Sequence, residues 1–250
     1  MEISFRSLNV IILAGGLGKR MESTLPKVCH QVNNKPMVVH VIETARKLYP
    51  SRILVVVGKY QETISKVIQE FTHIDDLTFV DQPNAQGTGH AVQCCLPYLN
   101  ALDQSVILYG DTPLIQKDTL CQLLNIDTYT KIITTMLDNP FGYGRIIKDI
   151  ESGDVLEIIE EKDCSSEQKQ IQAVNTGIYV FPNSYLIDLL PLLNNNNAQN
   201  EFYLTDMIYL IKINKKTPIG LYYLPNDRQM EITGVNTKAQ LEELNKLVKN

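Results

Sequence analysis

The sequence lacks the cysteine patterns that mark disulfide frameworks and thiolate metal sites. It contains five cysteines, with no C-x-x-C pair and no cysteine–histidine cluster at metal-ligand spacing. These absences argue against a disulfide-stapled secreted domain and against a zinc ribbon. An odd number of thiols without a framework fits a reducing compartment.

Long hydrophobic runs are missing as well. The apolar run near the N-terminus is short, and it is not preceded by a basic region or followed by a small-residue cleavage site. No segment approaches the roughly 18 apolar residues that a membrane helix needs. We therefore expect a cytoplasmic protein without a membrane partner.

The sequence has no excess of positive charge, and its formal net charge is −5. Nucleic-acid-binding proteins usually carry a basic face, so this balance argues against a nucleic-acid partner. It leaves room for a local basic site that binds a phosphorylated small molecule. The 250 residues, 44% hydrophobic and 20% charged, have ordinary globular composition and suffice for a full core.

Strand and helix signals alternate through about residue 125. Segments 8–14, 52–57 and 105–109 are nearly continuous apolar runs, which is typical of strands buried on both faces. Helical spacing follows Pro36, a residue that suits a first helical turn. The alternation predicts right-handed β-α-β units and a mainly parallel sheet with helices on both sides.

The pattern changes after residue 125, where extended segments follow one another without long helices between them. The strands predicted there are 131–137, 145–149, 155–160, 174–181 and 218–223, and the predicted helices are 203–213 and 237–248. No shift in composition marks a linker. We therefore predict a single domain over residues 1–250.

A glycine-rich loop with basic residues follows the first predicted strand. Residues 14–20 read AGGLGKR, and Lys27 follows shortly downstream. Glycines at the carboxyl end of a strand expose backbone N–H groups to phosphate oxygens, and Arg20 and Lys27 would compensate polyphosphate charge. The loop is neither a Walker A loop nor a G-x-G-x-x-G loop. The alternative is a tight turn with solvated basic side chains.

Two further clusters lie where strands are predicted to end. Gly87 and Gly89 bracket Thr88 before a helix, where free N–H groups bind anions or carbonyls, unless Thr88 is only an N-cap. Asp111 follows Gly110 after a buried strand, where a carboxylate suits Mg²⁺ or simply caps a turn. We expect His90, beside the first cluster, to order its loop.

Two readings of the second half also stay open. Asn236 precedes the last predicted helix, which makes it either a ligand or an N-cap. Glu161 and Lys162 are expected to form at most an exposed ion pair of little consequence.

Taken in order, these motifs resemble the signature of the sugar-1-phosphate nucleotidyltransferases. The closest match is the uridylyltransferase domain of the bacterial bifunctional enzyme that makes UDP-N-acetylglucosamine. The segments that carry the resemblance are LAGGLGKRM at 13–21, LPK at 25–27, QPNAQGTGHA at 82–91, YGDTPLI at 109–115, NPFGYGRI at 139–146, VNTGIY at 174–179 and GVN at 234–236.

The resemblance implies an α/β fold with a Rossmann-like mixed, mostly parallel sheet flanked by helices. It implies a nucleotide-binding half over about 1–125 and a sugar-binding half over about 126–250. Catalytic roles fall to Arg20, Lys27 and Asp111, and Asp111 and Asn236 would bind Mg²⁺. The residues implied in substrate binding are Leu13, Ala14, Gly15, Gly16, Lys27, Gln82, Gly87, Thr88, Tyr109, Gly110, Asp111, Gly144, Glu160, Asn175 and Asn236.

Within that set, the resemblance assigns Gln82, Gly87 and Thr88 to the uracil base, and Gly144, Glu160 and Asn175 to the sugar. The implied reaction transfers UMP from UTP to N-acetylglucosamine 1-phosphate and releases UDP-N-acetylglucosamine and pyrophosphate. The alternatives are glucose or N-acetylgalactosamine 1-phosphate as acceptor, thymine as base, or a non-catalytic nucleotide-sugar-binding protein.

The bifunctional enzyme continues into an acetyltransferase domain, a left-handed β-helix of hexapeptide repeats. The present sequence contains no such repeat. We therefore expect no acetyltransferase activity.

Overall fold

The computed structural model describes residues 5–16 and 18–248. Its strands are β1 Leu8–Leu13, β2 Gln31–Val32, β3 Lys35–Pro36, β4 Arg52–Val57, β5 Leu77–Asp81, β6 Gln104–Tyr109, β7 Thr130–Met136, β8 Arg145–Lys148, β9 Val155–Ile159, β10 Ala173–Pro182 and β11 Ile219–Tyr223. Its α-helices are α1 Met37–Arg46, α2 Gln61–Phe71, α3 Thr88–Gln93, α4 Lys117–Leu124, α5 Asn183–Leu189, α6 Asp206–Asn214 and α7 Lys238–Val248.

One large mixed sheet organises the chain, in the order β11-β7-β10-β6-β1-β4-β5. β6, β1, β4 and β5 are parallel neighbours, β10 is antiparallel to β6 and β7, and β7 is parallel to β11. β8 pairs with β10 and β9 at one side of this path. This arrangement confirms the predicted mostly parallel sheet, and its parallel strands β1, β4 and β6 are the apolar runs recognised in the sequence.

Apolar side chains cover both faces of the sheet because successive residues of a strand point to opposite sides. In β1, Val10 and Ile12 belong to a core cluster that includes residues of α1, α2 and α4. Ile11 belongs to a second cluster with residues of α3, α5 and α6. The two layers explain why β1 reads as a continuous apolar run instead of an alternating one.

Most predicted elements lie within a few residues of their observed positions, and three differences are informative. α4 and α5 are not predicted, because they are short, with eight and seven residues. The helix predicted at 203–213 begins at Asp206. The residues before it pack as a connecting segment against the start of α3, where the Leu204 N–H donates to Thr88 Oγ1 at 3.1 Å.

A bulge interrupts β10 beside the end of β6. Its register with β7 shifts between Asn175 and Tyr179. Gly177 lies inside the bulge with φ 82°, and a Cβ there would lie 2.6 Å from the Tyr109 ring. Only glycine allows both this backbone conformation and this close approach. The bulge therefore brings β10 against the Tyr109 side chain.

An ion pair with a buried guanidinium joins the start of β8 to the segment that follows β9. The Arg145 side chain is 1% exposed, and its guanidinium lies 2.7 Å from Glu161 Oε2. The same guanidinium donates to the Tyr143 carbonyl. The sequence suggested an exposed ion pair between Glu161 and Lys162, and this pair does not form. Lys162 Nζ donates to Gln199 Oε1 at 2.7 Å instead.

All five cysteines are free thiols, in agreement with the absence of a disulfide pattern. Within residues 5–16 and 18–248, none of the helices combines the length and the apolar character needed to cross a membrane.

Replacing Glu161 by Ala is expected to lower the free energy of unfolding by about 3 kcal/mol, because it leaves the buried Arg145 guanidinium without a counter-charge. Urea denaturation measures the change. Lys162→Ala is the matched control, since it removes a neighbouring surface charge and should change stability by less than about 0.5 kcal/mol. Equal losses in both variants would contradict the assignment.

Candidate active site

The predicted site residues gather at the carboxyl ends of the central parallel strands. Two cavities of about 480 and 420 Å³ lie there. Lys27, Tyr109 and Asp111 line both cavities. The position agrees with the rule that open α/β sheets bind ligands at this edge.

The first cavity collects most of the residues implied in nucleotide binding. Its lining is Leu13, Gly15, Gly16, Lys27, Val28, Gln82, Ala85, Gly87, Thr88, Ala91, Tyr109, Asp111 and Glu201. Ala14 and Gly110 are not among these residues. Their backbone N–H groups donate to Val56 O and Leu13 O, so they hold the neighbouring strand ends in place.

The glycine loop shapes the wall next to Lys27. Gly18 has φ 57°, and a Cβ at that position would lie 2.7 Å from Lys27 Cβ. A side chain at residue 18 would therefore push Lys27 away, in addition to the strain of a left-handed backbone. The loop thus needs glycine here to let the Lys27 segment approach.

Three segments distant in the chain meet at the Lys27 ammonium. Its Nζ forms an ion pair with Asp111 Oδ2 and donates to Asn236 Oδ1 at 2.8 Å. The Lys27 and Asp111 side chains are only 15% and 11% exposed. Val235 donates its backbone N–H to the Asp111 carbonyl at 3.0 Å, which joins the Asn236 segment to the end of β6.

Thr237 and Gln240 fix the backbone around Asn236. Thr237 Oγ1 accepts from the Gln240 N–H at 3.2 Å, and Gln240 Oε1 accepts from the Thr237 N–H at 3.0 Å. This reciprocal pair is a capping box, so Thr237 is the N-cap of α7. Gln240 Oε1 also accepts from the Asn236 N–H at 2.8 Å. The side chain of Asn236 is therefore free to face Lys27, and its alternative role as N-cap is wrong.

The turn before α3 is held by Gln82 and by the segment before α6. Gln82 Nε2 donates to Gly87 O at 3.1 Å and lies 3.2 Å from His90 Nδ1. Gly89 N–H donates to Phe202 O at 2.7 Å, and Phe202 N–H donates to Gln86 O at 2.8 Å. Thr88 accepts a hydrogen bond from this segment, so it does not act as the N-cap of α3.

The second cavity contains several residues that sequence reasoning did not single out. Its lining is Arg20, Lys27, Tyr109, Asp111, Thr112, Phe141, Gly142, Tyr143, Thr176, Ile232, Gly234, Asn236 and Gln240. Phe141 and Tyr143 stand inside a recognised motif, which is the signal that points to them. Burial raises the pKa of the Tyr143 hydroxyl. Thr112 and Thr176 likewise stand inside recognised motifs, whereas Ile232 and Gln240 carry no such signal.

The three residues implied in sugar binding line neither cavity. Glu160 Oε1 accepts from Thr205 Oγ1 at 3.1 Å, and burial raises the pKa of its carboxyl. Asn175 Nδ2 donates to the Tyr179 hydroxyl at 2.7 Å. Gly144 accepts from the Asn175 N–H at 2.8 Å through its carbonyl. These residues therefore form a polar group beside Tyr109, whose hydroxyl pKa is raised by burial and also by Glu160.

The chain is similar to a protein of Acanthamoeba polyphaga mimivirus named as a probable UDP-N-acetylglucosamine pyrophosphorylase. The two are 43% identical over 97% of this chain and 96% of the viral protein. The chain is also 43% identical to the bifunctional protein GlmU of Burkholderia orbicola (strain MC0-3), over 96% of this chain. It spans 52% of that relative, about half its length.

Solved structures share the fold. A UDP-glucose pyrophosphorylase complexed with UDP-glucose superimposes with a TM-score of 0.74 at 16% identity, covering 97% of this chain and 98% of the other. HddC from Yersinia pseudotuberculosis superimposes with a TM-score of 0.65 at 19% identity, covering 96% and 99%. At these identities the likeness concerns the architecture alone.

Residues 10–146 match the family described as the MobA-like NTP transferase domain. The match covers more than half of the chain and includes most of β1, the glycine loop, the turn before α3 and Asp111. Together with the 43% identity to the viral relative over almost the whole of both chains, it shows that this chain is a nucleotidyltransferase of the MobA-like NTP transferase family.

Proposed function

We propose that this protein is a UDP-N-acetylglucosamine pyrophosphorylase, which transfers UMP from UTP to N-acetylglucosamine 1-phosphate and releases pyrophosphate. The observation that carries the proposal is the meeting of two cavities at one charged cluster, Lys27 and Asp111. A transferase that joins two phosphorylated substrates needs two binding spaces with their phosphates side by side. The choice of base and sugar is supported by the name of the viral relative.

The two cavities divide the substrates between them. The first takes the uridine, whose base meets Gln82 and the turn at Gly87. The second takes the phosphates beside Arg20 and the sugar beside Tyr143. Because both cavities share the Lys27 and Asp111 side chains, the reacting phosphates meet there.

The proposed reaction is a single in-line displacement at the α-phosphorus of UTP. A phosphate oxygen of the sugar phosphate forms the new P–O bond, while the bond to the bridging oxygen breaks and pyrophosphate leaves. The attacking oxygen is already anionic at neutral pH, so no general base is required. Catalysis then rests on positioning and on charge stabilisation. Arg20 and the loop N–H groups stabilise the departing pyrophosphate, and Lys27 neutralises phosphate charge.

The residues around Lys27 fit a magnesium ion. A carboxylate oxygen of Asp111 and an amide oxygen of Asn236 converge on one cation, the Lys27 ammonium, and oxygen donors of this kind suit Mg²⁺. Residues 5–16 and 18–248 contain no cluster of three or more His, Cys, Asp or Glu side chains that could hold a metal. This fits an ion held by one or two protein groups plus substrate phosphates. Asp111 and Asn236 would hold Mg²⁺, which when bound neutralises phosphate charge and orients the phosphates.

The polar group beside Tyr109 suits the sugar hydroxyls. Asn175 is buried and Glu160 is half-buried. Both carry hydrogen-bonding atoms whose geometry is fixed by Tyr179 and Thr205, respectively. Polar groups that are positioned to hydrogen-bond a sugar discriminate between sugars more sharply than apolar walls do, because a wrong sugar leaves their remaining donors and acceptors unpaired. We propose that this group contributes to sugar selection.

The substrate assignment predicts rapid pyrophosphate release from UTP and N-acetylglucosamine 1-phosphate in the presence of Mg²⁺. Parallel assays with glucose 1-phosphate, N-acetylgalactosamine 1-phosphate and dTTP test the sugar and the base separately. Release of pyrophosphate only with another substrate pair would support the proposed reaction and contradict the proposed sugar or base. Binding of the nucleotide sugar by folded protein without turnover of any pair would favour a non-catalytic role.

Arg20→Ala is expected to lower kcat by about 10²–10³, because it removes a charge contact to the departing pyrophosphate. Steady-state pyrophosphate release measures this. The variant should stay folded, since Arg20 is exposed. Arg6→Ala is the matched control, because it also removes an exposed arginine but lies outside both cavities. A near-normal kcat for Arg20→Ala would remove this residue from the mechanism.

Asn236→Ala is expected to raise the half-saturating Mg²⁺ concentration at least about tenfold, because one of two protein oxygen ligands is lost. Titration of the protein with Mn²⁺, followed by electron paramagnetic resonance, gives the same comparison without turnover. Asn214→Ala serves as control, since Asn214 Nδ2 only donates to Leu210 O at the end of α6. Unchanged metal affinity in Asn236→Ala would argue against Asn236 as a ligand.

A further inference from the structure

The amide of Gln82 has two chemically different ends, and the protein engages only one of them. Gln82 is 6% exposed and lines the first cavity. Both side-chain hydrogen bonds of Gln82 to described residues use Nε2, with Gly87 O at 3.1 Å and His90 Nδ1 at 3.2 Å. The oxygen Oε1 lies on the side of Gly15, where an added Cβ would approach it to 3.2 Å.

The chemistry of the two partners determines which end of the amide faces them. A backbone carbonyl only accepts hydrogen bonds, and a neutral imidazole accepts through its unprotonated nitrogen. Turning the amide around would place Oε1 against two acceptors and leave Nε2 facing the cavity. Gly87 O and His90 Nδ1 therefore both favour the orientation that leaves Oε1 as the acceptor offered to a ligand.

His90 is itself held in the orientation this role requires. It lies in the first turn of α3, and its ring centroid is 6.4 Å from that of Phe202. When Nδ1 accepts from Gln82, the ring proton is on Nε2, which faces Cys94 Sγ at 3.9 Å. Sulfur is a weak acceptor and tolerates this contact. The two neighbours of the ring, Gln82 and Cys94, therefore favour the tautomer that is protonated at Nε2.

We propose that His90 is a positioning residue that fixes the Gln82 amide and thereby makes the base site select uracil over cytosine. The proposal rests on the proposed function, which assigns Gln82 to the base. An exposed amide oxygen accepts from the N3–H group of uracil. Cytosine has an unprotonated N3 at the same place, so two acceptors would face each other in a desolvated site.

The backbone beside Gln82 supports the same choice. Among the described residues, the Gly87 N–H has no hydrogen-bond acceptor, so it can donate to a carbonyl oxygen that flanks N3 of the base. The site then offers an acceptor next to a donor, which complements the donor and acceptor of uracil. Sites that read hydrogen bonds in this way reject an analogue by leaving buried groups unpaired.

The test compares four proteins: the wild type, His90→Leu, His90→Asn and the control Cys94→Ala. Leu removes the acceptor at a similar volume, whereas Asn places an amide oxygen close to the position of Nδ1. Cys94→Ala changes the neighbour on the other side of the ring and leaves Nδ1 intact. Dissociation constants for UTP and CTP are measured by calorimetry, and kcat/KM for each nucleotide by pyrophosphate release.

We expect His90→Leu to reduce the preference for UTP over CTP about tenfold, mainly through weaker UTP binding. His90→Asn should restore most of the preference, and Cys94→Ala should retain it. The KM for the sugar phosphate should stay the same in all four proteins. An unchanged nucleotide preference in His90→Leu, or an equal loss for both nucleotides, would overturn the proposal in favour of a structural role.

A failure of the proposed function would give a different result from a failure of the proposed role of His90. If the wild type binds UTP more tightly than CTP but releases no pyrophosphate, the reaction assignment fails. The binding constants of the variants still decide the role of His90 in that case.

Discussion

The Lys27 ammonium lies between a carboxylate and an amide oxygen that belong to distant parts of the chain. Asp111 follows the central strand β6, and Asn236 precedes the last helix. The cluster therefore forms only when the glycine loop, the end of β6 and the start of α7 have all reached their places. Each partner compensates the others in a largely desolvated setting, where an isolated charge would be costly. The two cavities are built around this point.

The support around the cluster is mostly backbone and capping geometry. A left-handed glycine at residue 18 admits Lys27, the capping box of Thr237 and Gln240 holds Asn236, and a hydrogen bond from Val235 anchors that segment to Asp111. These contacts restrict the positions of Lys27, Asp111 and Asn236, which is how a protein preorganises a charged site before its ligand binds.

A second junction connects the two halves of the chain at the base site. The Phe202 backbone pairs with Gln86 and Gly89, and Glu201 beside it lines the first cavity. A Cβ at Gly87 would lie 2.5 Å from Phe202 O, so glycine is required where the segments meet. One core layer also contains residues from both halves, such as Ile11 and Ile208. The predicted division at about residue 125 into nucleotide and sugar halves stays a prediction.

The fold class, the apolar runs of the parallel strands and the motifs at their ends can all be recognised in the sequence. A strand buried on both faces needs a continuous apolar run, and a left-handed turn favours glycine, so both are local requirements on residue type. Three contacts are seen only in the folded protein: Asn236 faces Lys27, Glu161 pairs with the buried Arg145, and His90 contacts the Gln82 amide. Contacts between side chains distant in sequence depend on how the layers pack and on which side chain lies within hydrogen-bond distance of each buried polar group. No periodicity or spacing in a single sequence records that choice.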